Sequence, residues 1–234
     1  MPRVIAFDVN ETLLDLSALD PLFGDVARRK RWFAQMLQIA FVGIITDQYI
    51  CFADAQRAAL EMLGEAADPD EVAATMRSLP PHPDVAPALD RLREGGLTLC
   101  SLTNSSLETS TAQLTPAGIA DRFEAILSAD TVRRLKPAPE PYRHVAETFG
   151  VEIGEVTLVA CHAWDCAGAL AAGAQAAFVR RPGMVLGPVG PEPGIQGDDL
   201  GEVASLILAC VPPSRRSSHT CRGRRRRAGS PRSR

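Results

Sequence analysis

The sequence predicts an α/β fold with a doubly wound parallel sheet as its core and a block of helices inserted near the start of the chain. Three observations support this prediction. A short apolar run, Val4 to Phe7, ends in Asp8, the segment from about Asp15 to Pro80 shows helical spacing, and strands and helices alternate regularly from Asp84 onward. Such alternation indicates a parallel sheet that is covered by helices on both faces.

The first element is a buried strand. Every residue from Val4 to Phe7 is apolar, which is typical of a parallel strand covered on both faces. Asp8 stands at its carboxyl end, where open α/β sheets place their functional groups, and Thr12 adds a hydroxyl shortly after it. On this strand alone a plain surface aspartate is the better interpretation, so the function of Asp8 depends on the rest of the chain.

The next segment is predicted to form several helices. Apolar residues recur at helical spacing up to Met62, and Asp68 with Pro69 starts a further short helix. The longest apolar run, Met36 to Ile45, is far shorter than the ~20 residues of a membrane span, so it is interpreted as a buried helix. The segment is longer than one crossover needs, and a helical cap over residues 15–80 is therefore preferred to a plain crossover.

The remaining elements alternate between helix and strand. Helices are predicted from Val85 to Gly95, near Leu107, and at residues 140–149 and 166–172. Strands are predicted at residues 97–102, 125–127, 156–160 and 176–179. The core thus comprises residues 1–14 and 81–210, and the Arg-rich residues 211–234 are predicted to be a disordered tail.

Composition and charge exclude several classes of protein. With 46% apolar and 23% charged residues, the chain is typical of a globular protein. The tail from Ser214 holds nine of the 25 basic residues and no acid, which leaves 16 basic residues against 28 acids in the body. An acidic body does not favour a nucleic-acid partner. The six cysteines form no C-x-x-C pair and no apolar leader opens the chain, so a cytoplasmic protein without a membrane partner is expected.

Polar side chains follow several predicted strands at their carboxyl ends, which meet in one crevice of a parallel sheet. They are Asp8, Thr12, Thr103, Asn104, His162 and Asp165, with Lys136 in a turn next to a proline. The set suits covalent catalysis, because an ammonium keeps an aspartate ionised while hydroxyl and amide groups fix its orientation. Each residue also has a structural alternative, namely capping for the hydroxyls, Asn104 and Asp165, a surface position for Lys136, a helix start for His162, and core packing for Tyr142.

Four motifs in order resemble those of the haloacid dehalogenase superfamily, and specifically those of the type II (S)-2-haloacid dehalogenases. They are FDVNETLLD, LTNSS, RLKPAPEPY and VACHAWDCAG. The resemblance extends to about Leu208. It implies a Rossmann-like, HAD-like core with an inserted helical cap, which agrees with the arrangement predicted from the residues.

The resemblance also implies a reaction and a role for each residue. Asp8 displaces halide from a short 2-haloacid and forms an ester, which water hydrolyses to the 2-hydroxy acid without a metal or other cofactor. Lys136 pairs with Asp8, and Asp165 helps to orient the water. Thr12, Thr103 and Asn104 position the nucleophile or the substrate carboxylate, and the expected substrate-binding residues are Asn10, Arg31, Trp32, Tyr142 and His162.

Two alternatives stay open, a magnesium-dependent phosphatase of the same superfamily and a binding-only member. Such phosphatases resemble D-x-D in the first motif, where this chain has Asn10, and carry a metal-binding acid where it has Cys161. Halide leaves without a proton and a thiol is a poor Mg²⁺ ligand, so both residues favour dehalogenation. In type II enzymes an arginine beside a tryptophan helps to hold the substrate. Here Phe33 follows Trp32, so Arg31 is the candidate replacement for that arginine. A homodimer is a further expectation, because dimers are common among relatives.

Overall fold

Within residues 3–211, which the computed structural model describes, six parallel strands form one sheet. The strands are β1 (Val4–Phe7), β2 (Thr98–Thr103), β3 (Ala125–Ser128), β4 (Val156–Ala160), β5 (Gln175–Val179) and β6 (Ile195–Gly197), in the order β3-β2-β1-β4-β5-β6. The predicted α/β fold with a parallel sheet is confirmed. The predicted tail, residues 211–234, lies outside the described residues except for Val211.

Strand β1 lies in the middle of this sheet. It pairs with β2 on one side, with Val4 opposite Thr98, and with β4 on the other side, with Val4 opposite Val156. All of its residues are buried, as its uniformly apolar sequence predicts. The strand order reverses between β1 and β4, and later strands are added outward on each side of this pair. Asp8 directly follows β1 and therefore lies at the switch point where doubly wound sheets bind their ligands.

Helices flank the sheet and fill the insert. In the described part of the chain they are α1 (Asp20–Phe23), α2 (Val26–Ile45), α3 (Phe52–Leu63), α4 (Pro69–Met76), α5 (Val85–Glu94), α6 (Leu107–Leu114), α7 (Pro139–Phe149), α8 (Ala163–Ala171) and α9 (Leu200–Ala209). Strand β6 was not predicted, because a strand of three residues shows no period. Helix α9 was not predicted either. Helix α8 begins at Ala163 and not at Cys166, so Asp165 lies in its first turn and is not its N-cap.

Helices α1–α4 lie between β1 and α5, and the chain leaves and rejoins the core at one junction. There the backbone N–H of Asp15 donates to the carbonyl of Pro80 at 2.8 Å, and the N–H of His82 donates to the carbonyl of Leu13 at 2.9 Å. Between these two hydrogen bonds, Leu14 and Pro81 form an antiparallel bridge. The junction coincides with the limits of the predicted cap, residues 15–80, whose standing as a separate domain stays a prediction.

Helix α2 packs one face into the core and exposes the other. Trp32 and Met36 are completely buried, whereas Val42 and Ile45 are 50% and 82% exposed. The prediction of a buried helix over Met36 to Ile45 is therefore wrong at its C-terminal end. None of the helices within residues 3–211 combines the length and the hydropathy that a membrane span requires. The cytoplasmic location and the homodimer stay predictions.

Candidate active site

The carboxylate of Asp8 is held from both sides. Lys136 Nζ donates to its Oδ1 at 2.8 Å, and Thr12 Oγ1 donates to its Oδ2 at 2.6 Å. The Thr12 hydroxyl oxygen also accepts the backbone N–H of Cys161 at 3.0 Å, which ties the segment after β1 to the end of β4. Thr12 therefore orients the acid, and the capping alternative does not apply.

Asp8 is ionised at neutral pH. Burial alone would raise the pKa of this carboxyl, but the charge of Lys136 and the hydrogen bond from His162 outweigh burial and hold the pKa well below its usual range. An ionised carboxylate needs no base to act as a nucleophile. Asp8 is only 5% exposed, so few water molecules compete with a substrate for its oxygens.

Lys136 is completely buried and lies between two aspartates. Its ammonium donates to Asp8, to Asp165 Oδ2 at 2.6 Å and to the carbonyl of Leu102 at 2.9 Å, so all three N–H groups have acceptors. Burial alone would lower the pKa of Lys136, but Asp165 and Asp8 raise it overall. The lysine stays charged, and the alternative of a surface position is wrong.

Asp165 supports Lys136 and is completely buried. Its Oδ2 accepts from Lys136, and its Oδ1 accepts from Tyr142 Oη at 2.6 Å, so both oxygens are occupied by protein donors. Burial raises the pKa of Asp165, and the charge of Asp8 adds to this while Lys136 opposes it. The packing depends on Gly168, because a Cβ there would come within 2.6 Å of Tyr142 Oη. Tyr142, expected to bind substrate, contacts Asp165 instead.

Thr103 and Asn104 lie at the carboxyl end of β2. Asn104 positions Lys136, and Thr103 presents a hydroxyl group. Asn104 Oδ1 accepts from the backbone N–H of Lys136 at 2.7 Å, and its Nδ2 donates to the Lys136 carbonyl at 3.1 Å. Thr103 Oγ1 accepts from the N–H of Ser105 at 3.2 Å and keeps its own proton to donate. The N-cap of α6 is Ser106, so neither Thr103 nor Asn104 caps that helix.

His162 joins Asp8 to a second carboxylate. Its Nδ1 lies 3.3 Å from Asp8 Oδ2, and its Nε2 lies 2.9 Å from Glu11 Oε2. Although His162 is the N-cap residue of α8, its side chain does not cap the helix. Burial alone would lower the pKa of His162, but the neighbouring Cys161 and the hydrogen bonds to Asp8 and Glu11 raise it well above its usual value.

Two charged residues at the site were not found from the sequence. Glu11 is 8% exposed, its backbone is left-handed with φ +62°, and its Oε1 accepts from Arg29 Nη1 at 3.1 Å. Arg29, on α2, also donates from Nε to Asp20 at 2.8 Å. A continuous line of buried or half-buried charges therefore runs from Asp8 through His162, Glu11 and Arg29 to Asp20.

A narrow pocket adjoins these groups. Its polar lining consists of Asp8, Asn10, Thr103, Asn104, Lys136 and His162, and its apolar lining of Phe33, Leu37, Phe52 and Trp164. Three of the apolar residues come from α2 and α3, so the inserted helices cover the ends of the strands.

Known proteins resemble this chain along most of its length. The family model of the haloacid dehalogenase-like hydrolases matches residues 2–173. The chain belongs to this family.

Haloacetate dehalogenase H-2 of Moraxella sp. (strain B) is 30% identical over 88% of this chain and 97% of that protein. (S)-2-haloacid dehalogenase H-109 of Pseudomonas putida is 26% identical over 87% of this chain and 97% of that protein. A solved structure of L-2-haloacid dehalogenase from Xanthobacter autotrophicus is 25% identical and superposes with a TM-score of 0.81 over 90% of this chain and 100% of that one. Membership of the haloacid dehalogenase-like hydrolases confirms the resemblance stated from the four motifs.

In this haloacid dehalogenase-like hydrolase, Arg31 and Trp32 do not line the pocket, and their assignment to substrate binding stays a prediction. Arg31 is exposed on α2, and Trp32 is completely buried against Phe23, with ring centroids 5.0 Å apart. The buried arginine is Arg29, which precedes Phe33 by one helical turn and therefore shares its face. Each single-residue shift rotates a helical side chain by ~100°, so proximity to a tryptophan in sequence does not identify the arginine.

We expect Arg29→Met to destabilise the protein by about 3 kcal/mol, because it leaves the buried Glu11 carboxylate without its cation. Arg31→Met, on the exposed face of the same helix, is the matched control, with an expected change within about 0.5 kcal/mol. Urea unfolding measures both values. Equal effects of the two substitutions would contradict the structural role of Arg29.

Asn10 places an amide where phosphatases of this superfamily carry an acid. Its Oδ1 accepts from Gln113 Nε2 at 3.0 Å, and its Nδ2 donates to Ser105 Oγ at 3.4 Å. An amide held in this way has no acidic proton to give to a leaving group. Among residues 3–211, no three or more His, Cys, Asp or Glu side chains are grouped so as to hold a metal ion.

Proposed function

We propose that this chain hydrolyses the carbon–halogen bond of a short 2-haloacid to the 2-hydroxy acid and halide, through an ester on Asp8. The observation that carries the proposal is the ionised Asp8 carboxylate in a small pocket, beside the Asn10 amide in place of an acid. The relatives named above support the same reaction class, since each is named as a haloacetate or haloacid dehalogenase.

In the first step, an oxygen of Asp8 attacks the carbon that bears the halogen. A carbon–oxygen bond forms while the carbon–halogen bond breaks, and the halide leaves with the bonding electron pair. Because halide leaves without a proton, the missing acid at Asn10 does not hinder this step. Trp164 lines the pocket, and its Nε1–H has no hydrogen-bond partner among the described residues, so it is available to the departing halide.

The polar lining of the pocket suits an anionic substrate. Lys136 and His162 contribute positive charge next to Asp8, and Thr103 retains a hydroxyl proton for a carboxylate oxygen. Asn104 fixes the backbone of Lys136 and also lines the pocket. The apolar wall, with Phe33 and its neighbours, contacts the short carbon chain.

Halide release tests the proposal. We expect the purified chain to release halide from chloroacetate and from one enantiomer of 2-chloropropionate, and no phosphate from p-nitrophenyl phosphate with or without Mg²⁺. Halide is measured by ion chromatography. Phosphate release that strictly requires Mg²⁺, with no halide, would establish the phosphatase alternative, and no turnover of any of these compounds would favour a binding-only protein.

The source of the product oxygen tests the ester. When enzyme exceeds substrate in ¹⁸O-labelled water, water attacks the Asp8 carbonyl carbon, so the first product carries an unlabelled oxygen from Asp8. Mass spectrometry of the 2-hydroxy acid and of the peptide that contains Asp8 locates the label. Labelled product in the first turnover would show direct attack by water on the substrate and would refute the ester.

A further inference from the structure

The second half of the proposed reaction needs a group that takes a proton from water, and Asp165 is badly placed for it. Its two carboxylate oxygens accept from Lys136 and Tyr142, it is completely buried, and it does not line the pocket. A base must lie within hydrogen-bond reach of the proton that it removes. Asp165 therefore positions Lys136, and the expectation that it orients the water is not supported by its contacts.

His162 has the position that Asp165 lacks. It lines the pocket, and its Nδ1 lies 3.3 Å from the carboxylate of Asp8. Its ring stacks on those of Phe33 and Trp164, at centroid distances of 5.9 and 5.3 Å and interplanar angles of 17° and 29°. Its nitrogens contact Asp8 and Glu11, and Cys161 Sγ lies 3.8 Å from Nδ1 and 3.9 Å from Nε2.

The other nitrogen of His162 meets a carboxylate that is held at a conformational cost. Glu11 Oε2 lies 2.9 Å from Nε2, and Glu11 Oε1 is fixed by Arg29. Glu11 adopts φ +62°, a region that glycine occupies freely and other residues avoid. A glutamate in such a conformation points to a use for its side chain, since the backbone alone would favour glycine.

We propose that His162, oriented by Glu11, is the catalytic base that activates water for hydrolysis of the Asp8 ester. His162 is a catalytic residue because it faces the reacting carboxyl group, and Glu11 is a positioning residue that acts through His162. The inference rests on the proposed function, because it assigns a residue to the second step of that reaction.

The step balances as follows. After the ester has formed, Asp8 is neutral, and His162 releases one proton to solvent. Water then adds to the Asp8 carbonyl carbon and gives one proton to Nδ1 of His162. The bond between that carbon and the substrate oxygen breaks, the electron pair leaves with the substrate oxygen, and this oxygen takes the second proton of the water. Asp8 is again a carboxylate, His162 is again protonated, and the net products are the 2-hydroxy acid, halide and one proton.

The charges around His162 explain why it becomes a base only at this stage. Asp8 and Glu11 face it from the segment after β1, Cys161 precedes it, and Lys136 and Arg29 lie on the far sides of the two carboxylates. In the free enzyme the pKa of His162 is well above its usual value, because Cys161, Asp8 and Glu11 outweigh burial. Esterification removes the charge of Asp8, so the pKa falls and the imidazole can accept a proton.

Trapping of the ester tests the assignment. We expect His162→Asn to release about one equivalent of halide per enzyme from chloroacetate in a burst, followed by turnover at least about 100-fold slower than wild type. The ester should accumulate on the Asp8 peptide, as measured by mass spectrometry after acid quench. His144→Asn, a half-buried histidine on α7 outside the pocket, is the matched control and should behave as wild type.

Glu11→Gln provides a second variant that keeps the shape of the side chain and removes its charge. We expect the rising limb of kcat against pH, assigned to His162, to move to lower pH in Glu11→Gln and to disappear in His162→Asn. Glu147→Gln, exposed on α7, should leave the limb unchanged. A merely structural role of Glu11 would lower kcat at every pH without moving the limb.

The outcomes separate this inference from the proposed function. If wild type forms neither halide nor ester, the proposed function fails. If wild type releases halide but His162→Asn slows the burst as much as turnover, or accumulates no ester, only the assignment of His162 fails. An unmoved pH limb in both variants would overturn it as well.

Discussion

Asp8→Asn is expected to abolish halide release, with a loss of at least about 10³-fold, because an amide oxygen is a far weaker nucleophile than an ionised carboxylate. No ester should form on the Asp8 peptide, which separates this variant from His162→Asn, in which the ester accumulates. Initial rates of halide release and intact-protein mass spectrometry provide the two measurements.

The control for this variant is a substitution of the same kind at a surface acid. Asp47 is 92% exposed, and Asp47→Asn should retain full activity. Asp8→Asn should remain folded, because Lys136 keeps Asp165 as a counter-ion, and circular dichroism checks this. A folded Asp8→Asn protein with unchanged turnover would remove Asp8 as the nucleophile.

Lys136→Met is expected to cost both activity and stability. It leaves Asp8 and Asp165 buried without their shared cation, and removing one partner of a buried ion pair typically costs about 3–5 kcal/mol. Halide release should fall at least about 10³-fold, because Asp8 loses the charge that keeps it ionised. The chain contains one other lysine, and Lys30→Met, at an exposed position, should change neither property.

The pH dependence of this loss has a definite sign. In wild type the pKa of Asp8 is lowered by folding, so its charge contributes stability that is complete above about pH 4 and is lost as the pH falls through the folded-state pKa. In Lys136→Met the two facing carboxyls should bind a proton more tightly than in the unfolded chain. The variant should therefore lose further stability as the pH rises, and a difference in unfolding free energy that is independent of pH would contradict this account.

Much of the site could be predicted from the sequence because parallel strands impose a simple rule. Side chains at the carboxyl ends of β1, β2 and β4 must meet at one edge of the sheet, and Asp8, Thr103 and His162 do so. Lys136 was predicted as a cation in a turn next to a proline, although this turn carries no strand pattern of its own. These predictions depend on topology and spacing, which a single sequence records well.

The residues that the sequence did not disclose depend on side-chain direction. Arg31, Trp32 and Arg29 lie within one helical turn, and an apolar pattern that extends around α2 does not fix which of them faces the core. Glu11 is part of a polar break that looks like a loop, and only its backbone conformation and its contacts with His162 show that it is buried. The role of Asp165 in orienting the water, taken from the motif, stays a prediction.

The junction where the chain enters and leaves the helical insert, near Asp15 and Pro80, limits how the insert can move. His82 bonds to the backbone of Leu13 through its N–H, and its ring Nε2 lies 3.0 Å from the carbonyl oxygen of Glu11. These hydrogen bonds tie the short segment that carries Asp8 and Glu11 to the returning chain and restrain movement at the base of the insert. We expect the backbone of the insert to keep its position over the pocket. Small acids should then reach Asp8 through rotation of the Phe33 and Phe52 side chains.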